Sequence, residues 1–181
     1  MSAPVPFVYS ILRYRPYKHL ASVLHSTTEA RYYGDISGKP CIAEEIGTLG
    51  PCVSSDKIAG DFARTALFSL WAHDCNGFIW WCSSDFSHLY FAPYDWSPIE
   101  PELGLLRVDG TAKPVLNEMC AFSKFLKNLP CHVLPKRSIE AVCIISREQN
   151  QWGVAYSSFV LAKQAGFDIE FQYESQPLKD S

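Results

Sequence analysis

The sequence predicts an α/β fold in which short buried strands alternate with covering helices. Two continuous apolar runs, KPCIA and GFIWWC, have the length and residue types of strands packed beneath helices. Apolar residues then recur at helical spacing in two segments: Ile58, Phe62, Ala66, Leu70 and Trp71, and Val115, Met119, Phe122, Phe125 and Leu126. Strands joined through amphipathic helices pair in parallel.

The elements follow in chain order. PFVYSILRYRPYKHL reads as a strand running into a proline-containing loop. A helix is expected from Thr27 to about Tyr33, with Gly34 and Gly38 marking its exit toward KPCIA. After GTLGPCVSSD, Ser55 or Asp56 caps a second helix, which should stop near Asn76-Gly77. GFIWWC is the next strand. The stretch SSDFSHLYFAPYDWSPIEPELGLLRVDGTAKP is a long loop rich in Pro, Gly, Asp and aromatics, and loops of that length inside a compact domain are usually functional. Pro114 suits the first position of a third helix, and Pro130 ends that segment. CHVLPKRS reads as a linker, EAVCIIS as a strand, VAYSSFVLAKQA as a helix closed by Gly166, and FDIEFQY as a half-buried strand. A lone β-α-β unit cannot cover its own faces. Residues 131–181 are therefore expected to be a linker and the start of a second domain, following a first domain over residues 1–130.

Composition bounds the function. Of the 181 residues, 48% are apolar and 19% charged, enough for a core and unlike a disordered chain. The net charge of −3 has no long runs, which argues against a nucleic-acid partner. No apolar stretch is long enough to span a membrane, and MSAPVPFVYSILRYRP lacks the basic-then-apolar order of a signal peptide. Seven cysteines without a CxxC pair fit buried thiols in a reducing, cytoplasmic setting. No cofactor or metal is expected: His73, Asp74 and Cys75 are contiguous, but adjacent residues at a helix end diverge and make poor metal ligands.

The chemistry-bearing residues lie at strand ends. Glu44 and Glu45 close the KPCIA strand, and Trp80 and Trp81 close the next, so parallel pairing makes them neighbours on one rim. Strict alternation would send only one of the two carboxylates inward. Two readings stand at this point. One is a structural ion pair with Arg64 or Arg107, or a solvated strand end; the other is a functional carboxylate, because burying an unpaired one costs several kcal/mol. One tryptophan must pack against helices, while the other could present a flat indole to the apolar face of a sugar.

KPCIAEEIG resembles the seventh-strand signature of retaining glycoside hydrolases with a (β/α)8 barrel, the superfamily of cellulases, β-mannanases and β-galactosidases. That signature ends in a nucleophilic Glu, an aromatic or aliphatic residue and Gly; the match selects Glu45, before Ile46 and Gly47. GFIWWCSSDF resembles the eighth strand, with Gly77, Trp81 and Asp85 four apart. ELGLLRVDGTAKPVLNEM is similar to the passage into the last barrel helix, and the segment from Glu140 onward to a flavodoxin-like, amidotransferase-type domain that follows the barrel in some β-galactosidase relatives. The resemblance implies the last strands and helices of a (β/α)8 barrel, plus the first β-α-β unit of a flavodoxin-like domain. It implies a carbohydrate substrate and double displacement at a β-glycosidic bond, with Glu45 as nucleophile. Trp81 would be the floor under the sugar, with Asp85 and Tyr17 orienting the sugar or the nucleophile.

The departures set further expectations. Retaining enzymes need a second carboxylate about 5–5.5 Å from the first. In this superfamily it belongs to an Asn-Glu pair at an earlier strand end, whereas Asn117-Glu118 falls in the third helix segment. The chain is therefore expected to be a fragment, inactive alone and open to homo-oligomerisation through its uncovered strands. The alternative is a non-catalytic carbohydrate-binding or structural remnant, with the aromatic loop from Phe86 to Trp96 as its platform.

Overall fold

The structure is a computed structural model, which describes residues 19–48, 54–92, 94–96, 100–131 and 134–178. Its elements are α1 (His19–Ser37), β1 (Cys41–Ile46), α2 (Asp56–Ala72), β2 (Cys75–Trp80), a short 3-10 turn (Glu100–Glu102), α3 (Pro114–Lys127), β3 (Ala141–Ile145), α4 (Gln151–Ala165) and β4 (Ile169–Tyr173). β1 pairs in parallel with β2, and β3 in parallel with β4. The expected alternation of strand and helix is present. The expected N-terminal strand lies outside the described residues.

Local signals placed several boundaries. The Ser55 side chain accepts a hydrogen bond from the Ile58 N–H and caps α2. Pro114 opens α3, where its missing N–H costs nothing. Gly166, at φ 88°, ends α4 in the left-handed conformation that glycine adopts without penalty. Asn150 caps α4 by accepting from the Gly153 N–H, so that helix starts three residues before the expected VAYSSF stretch. Asn76-Gly77 does not end α2; both residues lie inside β2.

Two cores result. Against one face of β1–β2 pack Ala30 of α1, Ala59, Phe62, Ala63, Ala66 and Leu70 of α2, and Val115 of α3. Gly60 lets α2 and α3 approach closely, since a Cβ there would stand 3.0 Å from Pro114 Cβ. The second core joins Ile145, Ile169 and Phe171 to Phe159 and Ala162 of α4 and to Leu24 and Tyr32 of α1. α1 is thus shared, and its apolar residues divide between two sides. This explains why periodicity showed only its middle: a helix buried on two sides has no single stripe.

An ion network crosses the same region. Asp35 pairs with Arg31, and its Oδ2 accepts from the Phe171 N–H at 3.1 Å. Arg137 donates from Nε to Asp74 at 2.8 Å and from Nη1 to Asp168 at 2.9 Å, and Lys163 meets Asp168 at 2.5 Å. Among the described residues, no element covers the opposite face of either sheet. Ile79 is 56% exposed on one, and Val142 and Ile144 are exposed on the other.

Between α1 and α4 sits a buried carboxyl. Glu29 is 3.7 Å from His25 Nδ1, its Oε2 has no hydrogen-bond partner among the described residues, and the Trp152 and Tyr156 rings flank the histidine. Loss of water pushes the Glu29 carboxyl up to about 7 and lowers the His25 imidazole. The unfolded chain releases the Glu29 proton near the ordinary value of 4.5, so the folded state holds the extra proton above that pH. Stability should therefore fall as pH rises from about 4.5 through about 7. Glu29→Gln is expected to remove that part of the slope and to raise stability at pH 8 by about 2 kcal/mol relative to pH 4, read as the difference in urea unfolding between the two proteins.

Candidate active site

The carboxyl ends of β1 and β2 form one rim. Trp81 follows β2 directly, and its N–H donates to the Ile46 carbonyl at 2.9 Å. Its peptide bond to Cys82 is cis. Gly47 eases this contact, because a Cβ there would lie a tight 3.2 Å from the Trp81 carbonyl oxygen. Trp80 turns into the core, with Nε1 donating to the Leu103 carbonyl at 3.1 Å, while Trp81 remains 46% exposed. One indole packs and the other is left half-exposed at the strand end.

The two glutamates occupy a β-bulge. Ala43 pairs with Phe78 and Ile46 with Trp80, so Glu44 and Glu45 together stand opposite the single residue Ile79. Alternation therefore does not sort the carboxylates onto opposite faces. Glu45 takes φ 54°, a left-handed conformation costing a non-glycine residue about 1 kcal/mol or more. Neither ion-pair partner considered from the sequence is used: Arg64 meets Glu118 of α3 and Arg107 meets Asp56 of α2. Neither Glu44 nor Glu45 has an ion pair among the described residues. Asn117-Glu118 lies within α3, away from any strand end. Asp74 serves Arg137, and the described residues contain no group of His, Cys, Asp and Glu able to hold a metal ion.

The structure brings Glu45 and Trp81 together at the rim; Tyr17 lies outside the described residues. Asp85 is 5% exposed beneath the loop after β2, where its Oδ1 accepts from Lys113 Nζ at 2.7 Å and from the Gly104 N–H at 2.8 Å. Lys113 also donates to the Glu102 carbonyl at 2.9 Å. This buried pair fastens a segment that folds back along the chain after β2. The Cys82 N–H donates to the Leu103 carbonyl, Leu105 to Cys82, and Asp85 to Leu106, so the two ends of the long loop are tied together. Lys113 and Gly104 were invisible to motif reading because their partners lie 28 and 19 residues away. The same loop builds a 430 Å³ cleft walled by Tyr90, Tyr94 and Trp96, with Ser87, Asp95 and Glu102 as its polar groups.

Comparison with known proteins bears on the fold. No protein-family model matches, nor does any curated protein sequence. Among solved structures, the GH5_18 protein of Bifidobacterium longum subsp. longum, in complex with Manβ1-4GlcNAc, aligns over 85% of this chain and 38% of its own at TM-score 0.69 and 16% identity. The exo-β-1,4-mannosidase Op5Man5 of Opitutaceae bacterium strain TAV5 aligns over 88% of this chain and 30% of its own, at 0.67 and 17%. A β-galactosidase of Halorubrum lacusprofundi aligns over 98% of this chain and 28% of its own, at 0.63 and 13%. The fold resembles part of the barrel of these proteins. The chain spans well under half the length of each of these proteins.

Gly104 tests the loop's attachment. A Cβ there would stand 2.3 Å from Ser84 C and 2.4 Å from Asp85 N, both backbone atoms. Gly104→Ala should cost roughly 2–3 kcal/mol in urea unfolding by overpacking. Gly110→Ala, at φ 81° with open space around the Cβ, should cost only about 1 kcal/mol.

Proposed function

We propose that this chain forms the closing part of a retaining β-glycosidase barrel acting on β-mannosides, β-galactosides or β-glucosides, with Glu45 as the nucleophile. The reading rests above all on the placement of Glu45: a carboxylate at a strand end with no ion pair among the described residues, in a bulge with positive φ, on the same rim as a half-exposed Trp81. Such strain persists where surrounding structure holds it, and it clusters at functional sites. Glu45 attacks the anomeric carbon, the leaving oxygen departs with a proton from a second carboxylate, and water later releases the sugar. Trp81 lies under the sugar ring. Asp85 acts through the loop that it holds, and Tyr17 is assigned to orienting the nucleophile. The second carboxylate belongs to a strand outside these 181 residues, so the chain alone is inactive. Residues 1–130 belong to the barrel, and β3-α4-β4 opens a flavodoxin-like domain within residues 131–181.

A second reading rests on the 430 Å³ cleft, whose exposed Tyr90 and Trp96 suit saccharide stacking without chemistry. A 2-deoxy-2-fluoro-β-glycosyl donor with a dinitrophenolate leaving group separates the two, because it needs no acid catalyst to glycosylate the nucleophile. The expected product is a fluorosugar on Glu45, located by peptide mass and absent in Glu45→Gln. Attachment at Glu44 transfers the role. Saccharide binding lost in Trp96→Ala, with neither glutamate labelled, favours the binding reading. Steady turnover of an aryl β-mannoside by the 181-residue chain would falsify the assignment of the second carboxylate to another strand.

The exposed apolar residues of both sheets lead us to infer self-association. Ile42 and Ile79 on one sheet, Trp81 just after it, and Val142 and Ile144 on the other leave apolar surface in water, beside strand edges that no other described strand pairs. Size-exclusion chromatography with light scattering should report oligomers; a monodisperse monomer that unfolds sharply would overturn this.

A further inference from the structure

Cys41 and Cys75 open β1 and β2 and are partners across the parallel sheet. Neighbouring strands place such partners about 4.8 Å apart at Cα, inside the roughly 4.4–6.8 Å range over which a disulfide closes without backbone movement. Cys41 belongs to the core and Cys75 packs against it, so both approach the same helix-covered side. The Cys75 Sγ lies 3.5 Å from the Cys41 carbonyl oxygen. The two differ in access: Cys41 is 3% exposed, whereas Cys75 is partly open to solvent. The Arg31 guanidinium lies on the Cys41 side of the sheet, since a Cβ on Gly34 would stand 3.6 Å from Cys41 Cβ and 3.7 Å from Arg31 Nη1. Apart from this pair, no two of the described cysteines are strand partners.

We propose that Cys41 and Cys75 form a redox-modification site, a dithiol that small-molecule disulfides convert reversibly into an intramolecular disulfide across β1 and β2. The roles follow from charge and access. Side-chain hydrogen bonding with Cys41 draws the Cys75 sulfur down to about 6 against the opposing effect of burial, with the Gly77 and Ala43 backbone and the Arg31 charge helping. The same bond holds the Cys41 thiol well above its ordinary range. Cys75 is thus the attacking thiolate and Cys41 the resolving thiol. The Cys75 thiolate bonds to one sulfur of the oxidised small disulfide and expels the first small thiolate. That thiolate takes the Cys41 proton, and the Cys41 sulfur then attacks Cys75 Sγ and expels the second. Two protein thiols are oxidised by two electrons, and one small disulfide is reduced to two thiols. The new bond closes a loop around α2 and ties the strands at the end opposite the Glu44-Glu45 rim.

The test uses the full chain with Cys120 and Cys131, both exposed, changed to Ser to prevent links between molecules. The folded protein is incubated with oxidised glutathione at neutral pH, quenched in acid and alkylated with N-ethylmaleimide. The expected result is a protein lighter by two hydrogens, one cross-linked peptide pair containing residues 41 and 75, and a Tm higher by roughly 5–10 °C that dithiothreitol reverses. Cys41→Ser should instead retain a glutathione adduct at Cys75. Should either serine variant fail to fold, the peptide map of the parent protein decides. A cross-link between other cysteines, a persistent glutathione adduct on Cys75 in the parent, or two alkylated thiols at 41 and 75 after oxidant treatment would each overturn the proposal.

Discussion

Asp35 is the point on which the arrangement turns. Its side chain is 4% exposed, and its two oxygens serve different parts of the molecule: Oδ1 takes the Arg31 charge, while Oδ2 satisfies the Phe171 N–H at the edge of β4. Arg137 stands 3.9 Å from the same carboxylate and holds both Asp74, just before β2, and Asp168, just before β4. The start of one strand in each sheet is thus tethered to one guanidinium. Removing one member of a buried ion network leaves the others desolvated and unpaired, at about 3–5 kcal/mol. That is a large part of a typical domain's net stability of roughly 5–15 kcal/mol.

The same economy governs the rim. Helices cover one face of β1–β2, which forces Ala43, Ile46 and Trp80 inward. What remains at the strand ends is Trp81 and the two glutamates. The bulge reconciles an inward Ile46 with two consecutive carboxylates, since one extra residue absorbs the slip. Asp85 and Lys113 then hold the following segment close above Trp80, whose indole N–H reaches Leu103 in that segment. Site and scaffold meet in a few backbone contacts, and the close-approach glycines at 47 and 104 sit at two of them.

Much of the fold was legible because it is written in short-range chemistry. The cap at Ser55, the proline at 114, the left-handed Gly166 and the helical stripes of α2 and α3 act within a turn or two of chain. The elements that escaped notice answer to distant partners. α1 lacks a stripe because two cores share it, and β2 includes Asn76-Gly77 because pairing with β1 outweighs their preference for turns. The stretch after β2 read as irregular because its ends are joined by hydrogen bonds between segments about twenty residues apart.

By itself the sequence determined the order of strands and helices, the parallel pairing that such an order requires, and the placing of Glu44, Glu45 and Trp81 at strand ends on one rim. These follow from periodicity and from the handed geometry of strand-helix-strand connections. Only the tertiary structure decided that Arg64 and Arg107 are occupied elsewhere, that Asp85 is committed to Lys113, that the two glutamates share a bulge, and that Cys41 faces Cys75. Each of these depends on the register of one strand against another or on contact between distant segments. A one-residue slip would change every such pairing while leaving local propensities as they are.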